Sequence, residues 1–127
     1  MFFYLCYNKI KGDIMAFLKE YSGLKILEIT SDRIKDFSGK TLYLIDGNKV
    51  KEYSGLIKYV MDGDKIKDFS GRTLLLFDGK ILKEYSGLIK YRVEDNAIKE
   101  YSGQIIYRID GYLSKTQIMA LLSILFL

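Results

Sequence analysis

The chain of 127 residues is long enough for one domain with its own core and too short for two. It holds no histidine, proline or tryptophan and a single cysteine, Cys6, which removes the commonest general base, thiolate metal clusters and any intramolecular disulfide. With 49% hydrophobic residues, 11 Tyr and 7 Phe the composition is that of an aromatic-rich packed fold. The formal charge of +4 leans towards anionic partners without the basic block that marks nucleic-acid binding.

The apolar start, Met1 to Tyr7, has no basic leader and runs into polar Asn8 to Asp13, so it reads as a first strand rather than a signal peptide. Cys6 within it reads as a small buried thiol in a reduced, cytoplasmic setting.

An aromatic-Ser-Gly triplet then recurs every sixteen residues, at Tyr21, Phe37, Tyr53, Phe69, Tyr85 and Tyr101. Between the triplets comes a second punctuation, Asp46-Gly47, Asp62-Gly63, Asp78-Gly79 and Asp110-Gly111, with Ser31-Asp32 and Asp95-Asn96 as degenerate forms. Glycine at both sites supplies the positive φ of tight turns, and sixteen residues hold two short strands and two turns. Each repeat is therefore one β-hairpin, and the cost of two unpaired sheet edges argues that the array closes. The close match of Ile34 to Gly63 with Ile66 to Asp95 marks a 32-residue unit as the latest duplication.

Alternation assigns Leu27/Ile29, Tyr43/Ile45, Tyr59/Met61, Leu75/Phe77, Tyr91/Val93 and Tyr107/Ile109 to the core face of the first strand of each pair. The opposite face is uneven. It carries Leu42, Leu44, Leu74 and Leu76 in two repeats, and Lys58, Lys90, Arg92 and Arg108 in others. The second strand repeats apolar-Lys-acid-aromatic, as in Ile34-Lys35-Asp36-Phe37. Either its aromatic face is half exposed or the aromatic swings inward through a bulge at the Ser-Gly turn.

Ser114-Lys115-Thr116-Gln117 has the form of a capping box and opens an apolar helix to the end of the chain. At roughly 20 Å that helix falls short of a bilayer core. Apolar on nearly all sides, it must be covered by its own domain, a second copy or a lipid interface. The expected organisation is all-β, a hairpin domain over residues 1–112 and a helix over 113–127 that packs on it or on a partner copy. Ile118, Leu121, Leu122 and Leu125 are expected to pack against the Leu42, Leu44, Leu74 and Leu76 face and to form with it a candidate interaction surface.

The opening Tyr7-Asn8-Lys9, the Asp-Gly and Ser-Gly turns and the closing run Asp110 to Phe126 together resemble small bacterial β-flower proteins. The resemblance covers nearly the whole chain. It implies hairpins set radially around a central axis, and it implies a fold without implying an activity.

Chemistry finds little support. The glycines are singletons at hairpin tips rather than a phosphate cradle, the serines have no histidine to activate them, and the acid column recurs in every copy where catalysis needs residues in distinct roles. The expected function is non-enzymatic, structural or protein-interacting, with no cofactor, no metal and no small-molecule substrate. The partner is expected to be a protein or a second copy, with nucleic acid disfavoured. The alternative is a polyanion or membrane-surface module, with Lys58, Lys90, Arg92 and Arg108 as anion contacts and the C-terminal helix as the membrane element.

Overall fold

The computed structural model describes residues 15–127; the strand expected over Met1 to Tyr7, with Cys6, lies outside them. Six hairpins follow one another. They are β1 (Ala16–Glu20) with β2 (Lys25–Ile29), β3 (Arg33–Asp36) with β4 (Thr41–Asp46), and β5 (Lys49–Glu52) with β6 (Ile57–Asp62). The other three are β7 (Lys65–Asp68) with β8 (Thr73–Phe77), β9 (Ile81–Glu84) with β10 (Ile89–Glu94), and β11 (Ala97–Glu100) with β12 (Ile105–Asp110). Neighbouring strands pair antiparallel in chain order, and β12 returns to β1 with Leu18 opposite Ile109 and Lys19 opposite Arg108, which closes the sheet into a barrel.

The two punctuations make the two kinds of turn. At the Ser-Gly end, the Gly39 amide donates to the Asp36 carbonyl at 3.0 Å and the Asp36 amide to the Lys40 carbonyl at 2.9 Å, with Gly39 at φ 96°. This is a three-residue loop that needs glycine at its left-handed last position. At the other end Gly47 leads a two-residue loop at φ 61°, while Asp95 and Asn96 at φ 55° and 58° make that turn without glycine. One bulge follows each Ser-Gly turn: Leu42, for example, has no partner between the Ile34–Tyr43 and Lys35–Thr41 pairs. The bulges therefore lie on the strands after the turns, and the aromatics of the triplets stay outside.

The inward column of the strands before the triplets, including Ile34, Val50, Ile66, Leu82 and Ile98, is fully buried, as are Ile29 and Phe77 on the facing strands. Twelve strands at about 4.8 Å spacing and about 40° of tilt give a barrel radius of about 12 Å. Side chains from the wall fill a barrel of about eight strands and no more, so this one has an apolar lumen that needs a plug. The helix α1 (Lys115–Phe126) is that plug. Five consecutive residues, Met119 to Ser123, are buried, which turns every side of the helix to the wall, and its side-chain envelope of about 10–12 Å matches the space left.

The helix packs on its own hairpin domain, one of the two arrangements expected, but from inside the barrel rather than across an outer leucine face. Leu121 and Leu122 are wholly buried within the core built by the inward columns. They do not cover an outer leucine face or offer themselves to a partner or a lipid surface. Leu42 and Leu74, at bulge positions, pack against that core; Leu44 and Leu76 are half-buried on the outer wall. The expected leucine face is thus split by the bulge, which shifts the inside-outside alternation by one residue.

Both ends of the plug are fixed. The Gln117 amide donates to the Ser114 hydroxyl at 3.2 Å, and the Ser114 amide donates to the Gln117 side chain at 2.9 Å, completing the capping box. Gln117 also donates to the Thr30 carbonyl at 3.0 Å on one side of the barrel, while Lys115 pairs with Asp64 in the β6–β7 turn. At the other end Phe126 stacks on Tyr91 of β10.

Candidate functional site

With the helix inside, the surface of the barrel carries the candidate sites. Each Ser-Gly loop begins with its aromatic, whose side chain projects from the tip because the strand before it has already placed its apolar residue in the core. Tyr21, Phe37, Tyr53, Phe69, Tyr85 and Tyr101 are 59% to 80% exposed, and Leu24, Leu56 and Leu88, four residues after an acid in alternate tips, are similarly exposed. The closed ring sets these nine side chains around one rim. Monomeric proteins seldom display so much large apolar surface at one end.

The tips are of two kinds. In Asp36-Phe37-Ser38-Gly39-Lys40 the Asp36 carboxylate accepts from the Ser38 hydroxyl at 2.6 Å and from the Ser38 and Lys40 amides at 3.0 Å. The Ser38 hydroxyl and the Lys40 amide hold the Asp36 carboxyl below its ordinary value of 3.8. The Asp68 tip repeats this with Ser70 and Arg72. Where glutamate replaces aspartate, its longer side chain overshoots the loop amides: in the Glu20 and Glu84 tips the serine hydroxyl approaches at 3.4 Å, and no loop amide donates to the carboxylate.

The outer wall carries the lysine column. On β5 and β7, Lys51 stands opposite Leu44 and Lys67 opposite Val60, and each lysine reaches a carboxylate below it, Asp46 at 2.7 Å and Asp62 at 2.8 Å. Those lysines hold Asp46 and Asp62 below the ordinary carboxylate value. The positions equivalent to the apolar ones become Arg92 and Arg108 on β10 and β12. Arg92 stands directly opposite Lys99, and Arg108 opposite Lys19. Four adjacent strands, β10, β11, β12 and β1, thus present a cationic strip about 15 Å across at about 4.8 Å per strand.

Of the four anion contacts expected from sequence, the structure brings Arg92 and Arg108 into this strip and leaves the other two at the rim. Lys58 lies 5.9 Å and 5.7 Å from the ring centres of Tyr43 and Tyr59, and Lys90 pairs with Glu84 at 3.4 Å. The exposed aromatic rim was missed as a site. Its signal was the position of the aromatic inside the turn, directly ahead of Ser-Gly, where no strand face is left to bury it. The strip was missed because cross-strand register brings Lys99 and Lys19 beside the arginines from distant parts of the chain.

Among the described residues no helix is long and apolar enough to cross a membrane, and no group of His, Cys, Asp and Glu is arranged to hold a metal ion. No protein-family model, curated protein or solved structure matches the chain.

Proposed function

We propose that this protein is a non-enzymatic binding domain that docks another protein through the aromatic rim of its barrel. The observation that carries the reading is the ring of six aromatic and three leucine side chains left 59% to 80% exposed at one end of a closed barrel. Tyrosine and phenylalanine give large contact area for little lost side-chain freedom, and such residues dominate protein interfaces. The rim mixes exposed Glu20 and Glu100 with exposed Lys25, Lys40 and Arg72, and charges of both signs among the aromatics suit a protein surface better than a uniformly anionic bilayer.

The test compares the full chain with a rim variant, Phe37→Ser/Tyr53→Ser/Phe69→Ser, in copurification from the native host and in flotation with neutral and anionic vesicles. These side chains are exposed, so the variant should fold. A protein partner retained by the parent and by Arg92→Gln/Arg108→Gln, and depleted at least tenfold by the rim variant, is the expected result. Equal capture by parent and rim variant, or vesicle binding that the rim variant loses, would overturn the reading.

A further inference from the structure

Where the rim meets the wall at Tyr101 and Tyr21, the cationic strip has the marks of a second site. We propose that Arg92, Lys99, Arg108 and Lys19, with the rings of Tyr101 and Tyr21, bind single-stranded nucleic acid.

The first argument is where the repeat breaks. The equivalent wall position is Glu28, Leu44, Val60 and Leu76 in four repeats and arginine only in the last two. The barrel is built equally well with apolar residues there, so the fold does not require arginine. Directly opposed like charges, Arg92 with Lys99 and Arg108 with Lys19, destabilise a sheet. A pair of arginines that the fold does not require, set opposite lysines and confined to adjacent strands, marks a ligand site.

The second argument is what the arginines touch. Lys19 is held by Asp110 at 2.9 Å, and Lys99 by Glu94 and Asp95 at 3.5 Å and 3.6 Å. Among the described residues Arg92 and Arg108 meet no carboxylate within ion-pair distance. Each guanidinium instead lies over a rim aromatic, Arg92 at 5.6 Å from the Tyr101 ring and Arg108 at 5.5 Å from the Tyr21 ring. A cation for a phosphate beside an exposed ring for a base is the recurring element of single-strand binding. A cleft lined by Tyr21, Gly103, Gln104 and Ile105 opens at the same place, and the Gln104 side chain can both donate to and accept from a base edge there.

Shape selects among polyanions. The strip runs around a wall of about 12 Å radius. A flat bilayer or a stiff duplex meets such a convex surface along a narrow line, whereas a flexible single strand follows it. A sulfated polysaccharide is flexible too, but has no flat base to lay on tyrosine.

The test is fluorescence anisotropy of the full chain with a labelled oligothymidylate at low salt, against heparin and anionic vesicles as competitors. Arg92→Gln/Arg108→Gln should weaken binding at least tenfold and reduce the salt slope by about 1.4, since each single-strand phosphate contact contributes about 0.7. Lys40→Gln/Arg72→Gln removes the same charge from the tips of two other hairpins and should change affinity less than twofold. Tyr21→Leu, at an exposed tip that tolerates substitution, should weaken the oligonucleotide at least threefold and leave heparin unaffected, and it carries the test alone should the wall variant fold poorly. Absence of binding by the full chain, equal losses in the two charge variants, indifference to Tyr21→Leu, or preference for heparin or vesicles over the oligonucleotide would each overturn the proposal.

Discussion

Tyr91 on β10 and Phe126 in the last turn of α1 stack with ring centres 4.0 Å apart and 19° between their planes. The contact joins the barrel wall to the element inside it. At the opposite end Gln117 reaches the Thr30 carbonyl, so the helix is pinned to different hairpins at its two ends and cannot slide or turn without losing one of them.

The middle of the plug should be the most sensitive part of the molecule. Leu122→Ala opens a cavity in a lumen whose wall, closed by hydrogen bonds all round, cannot collapse inward. The expected cost is about 3–5 kcal/mol, at the upper end for such substitutions, read from urea or guanidinium midpoints. Leu44→Ala, on the half-buried outer wall, should cost less than half as much.

The cap anchors the helix twice. Ser114→Ala removes the hydroxyl that accepts from Gln117 and should cost about 1 kcal/mol. Gln117→Ala also frees the Thr30 carbonyl and should cost about 1 kcal/mol more than Ser114→Ala in the same denaturation experiment.

The tips of Asp36 and Asp68 carry a pH dependence of definite sign. Both carboxyls are held below the ordinary 3.8 in the folded chain, so their contribution is fully present above that value and is lost as pH falls through the lowered folded value. Asp36→Asn/Asp68→Asn should therefore be less stable than the parent near neutral pH. The difference should shrink as the pH is taken down to about 2, measured by denaturant midpoints along the series. A difference that grows on acidification would contradict the hydrogen-bonded tips.

Two glycines of similar φ should respond differently to alanine. Gly39, at φ 96°, has open space where a Cβ would point, so Gly39→Ala should cost only the backbone strain, about 1–2 kcal/mol. Gly111, at φ 114°, would bring its Cβ to 3.0 Å from Ala16 and from the Met15 carbonyl at the seam where β12 meets β1. Gly111→Ala should therefore be the more destabilising in thermal melts, because the seam must shift as well.

Much of the barrel was legible in the sequence. Sixteen-residue spacing announced the hairpins, and the columns headed by Leu27 and Tyr43 are the inward face. What could not be read was the lumen, because its width follows from the number of strands that close, while each hairpin carries only local signals. A helix apolar on every side, with Leu121 and Leu122 adjacent, states that it is enclosed and is silent about what encloses it. A bulge near the Ser-Gly turn was one of two readings, but its place at Leu42 and Lys58 on the strand after the turn was not legible, since one unpaired residue shifts the alternation without changing composition. Charges that cancel along the chain, such as Lys99 beside Glu100, concealed the strip that register assembles from Arg92, Lys99, Arg108 and Lys19.

The account stands on the C-terminal helix being the plug of the barrel, which leaves the rim and the wall as the surfaces that meet partners. Amide hydrogen exchange across the full chain tests this most directly. The amides of Met119 to Ser123 should exchange as slowly as the slowest strand amides, opening only with global unfolding, while the Ser-Gly tips exchange fast. Helix amides that exchange much faster than the strands, with the strands still protected, would mean that the helix leaves an intact barrel, and would contradict the account.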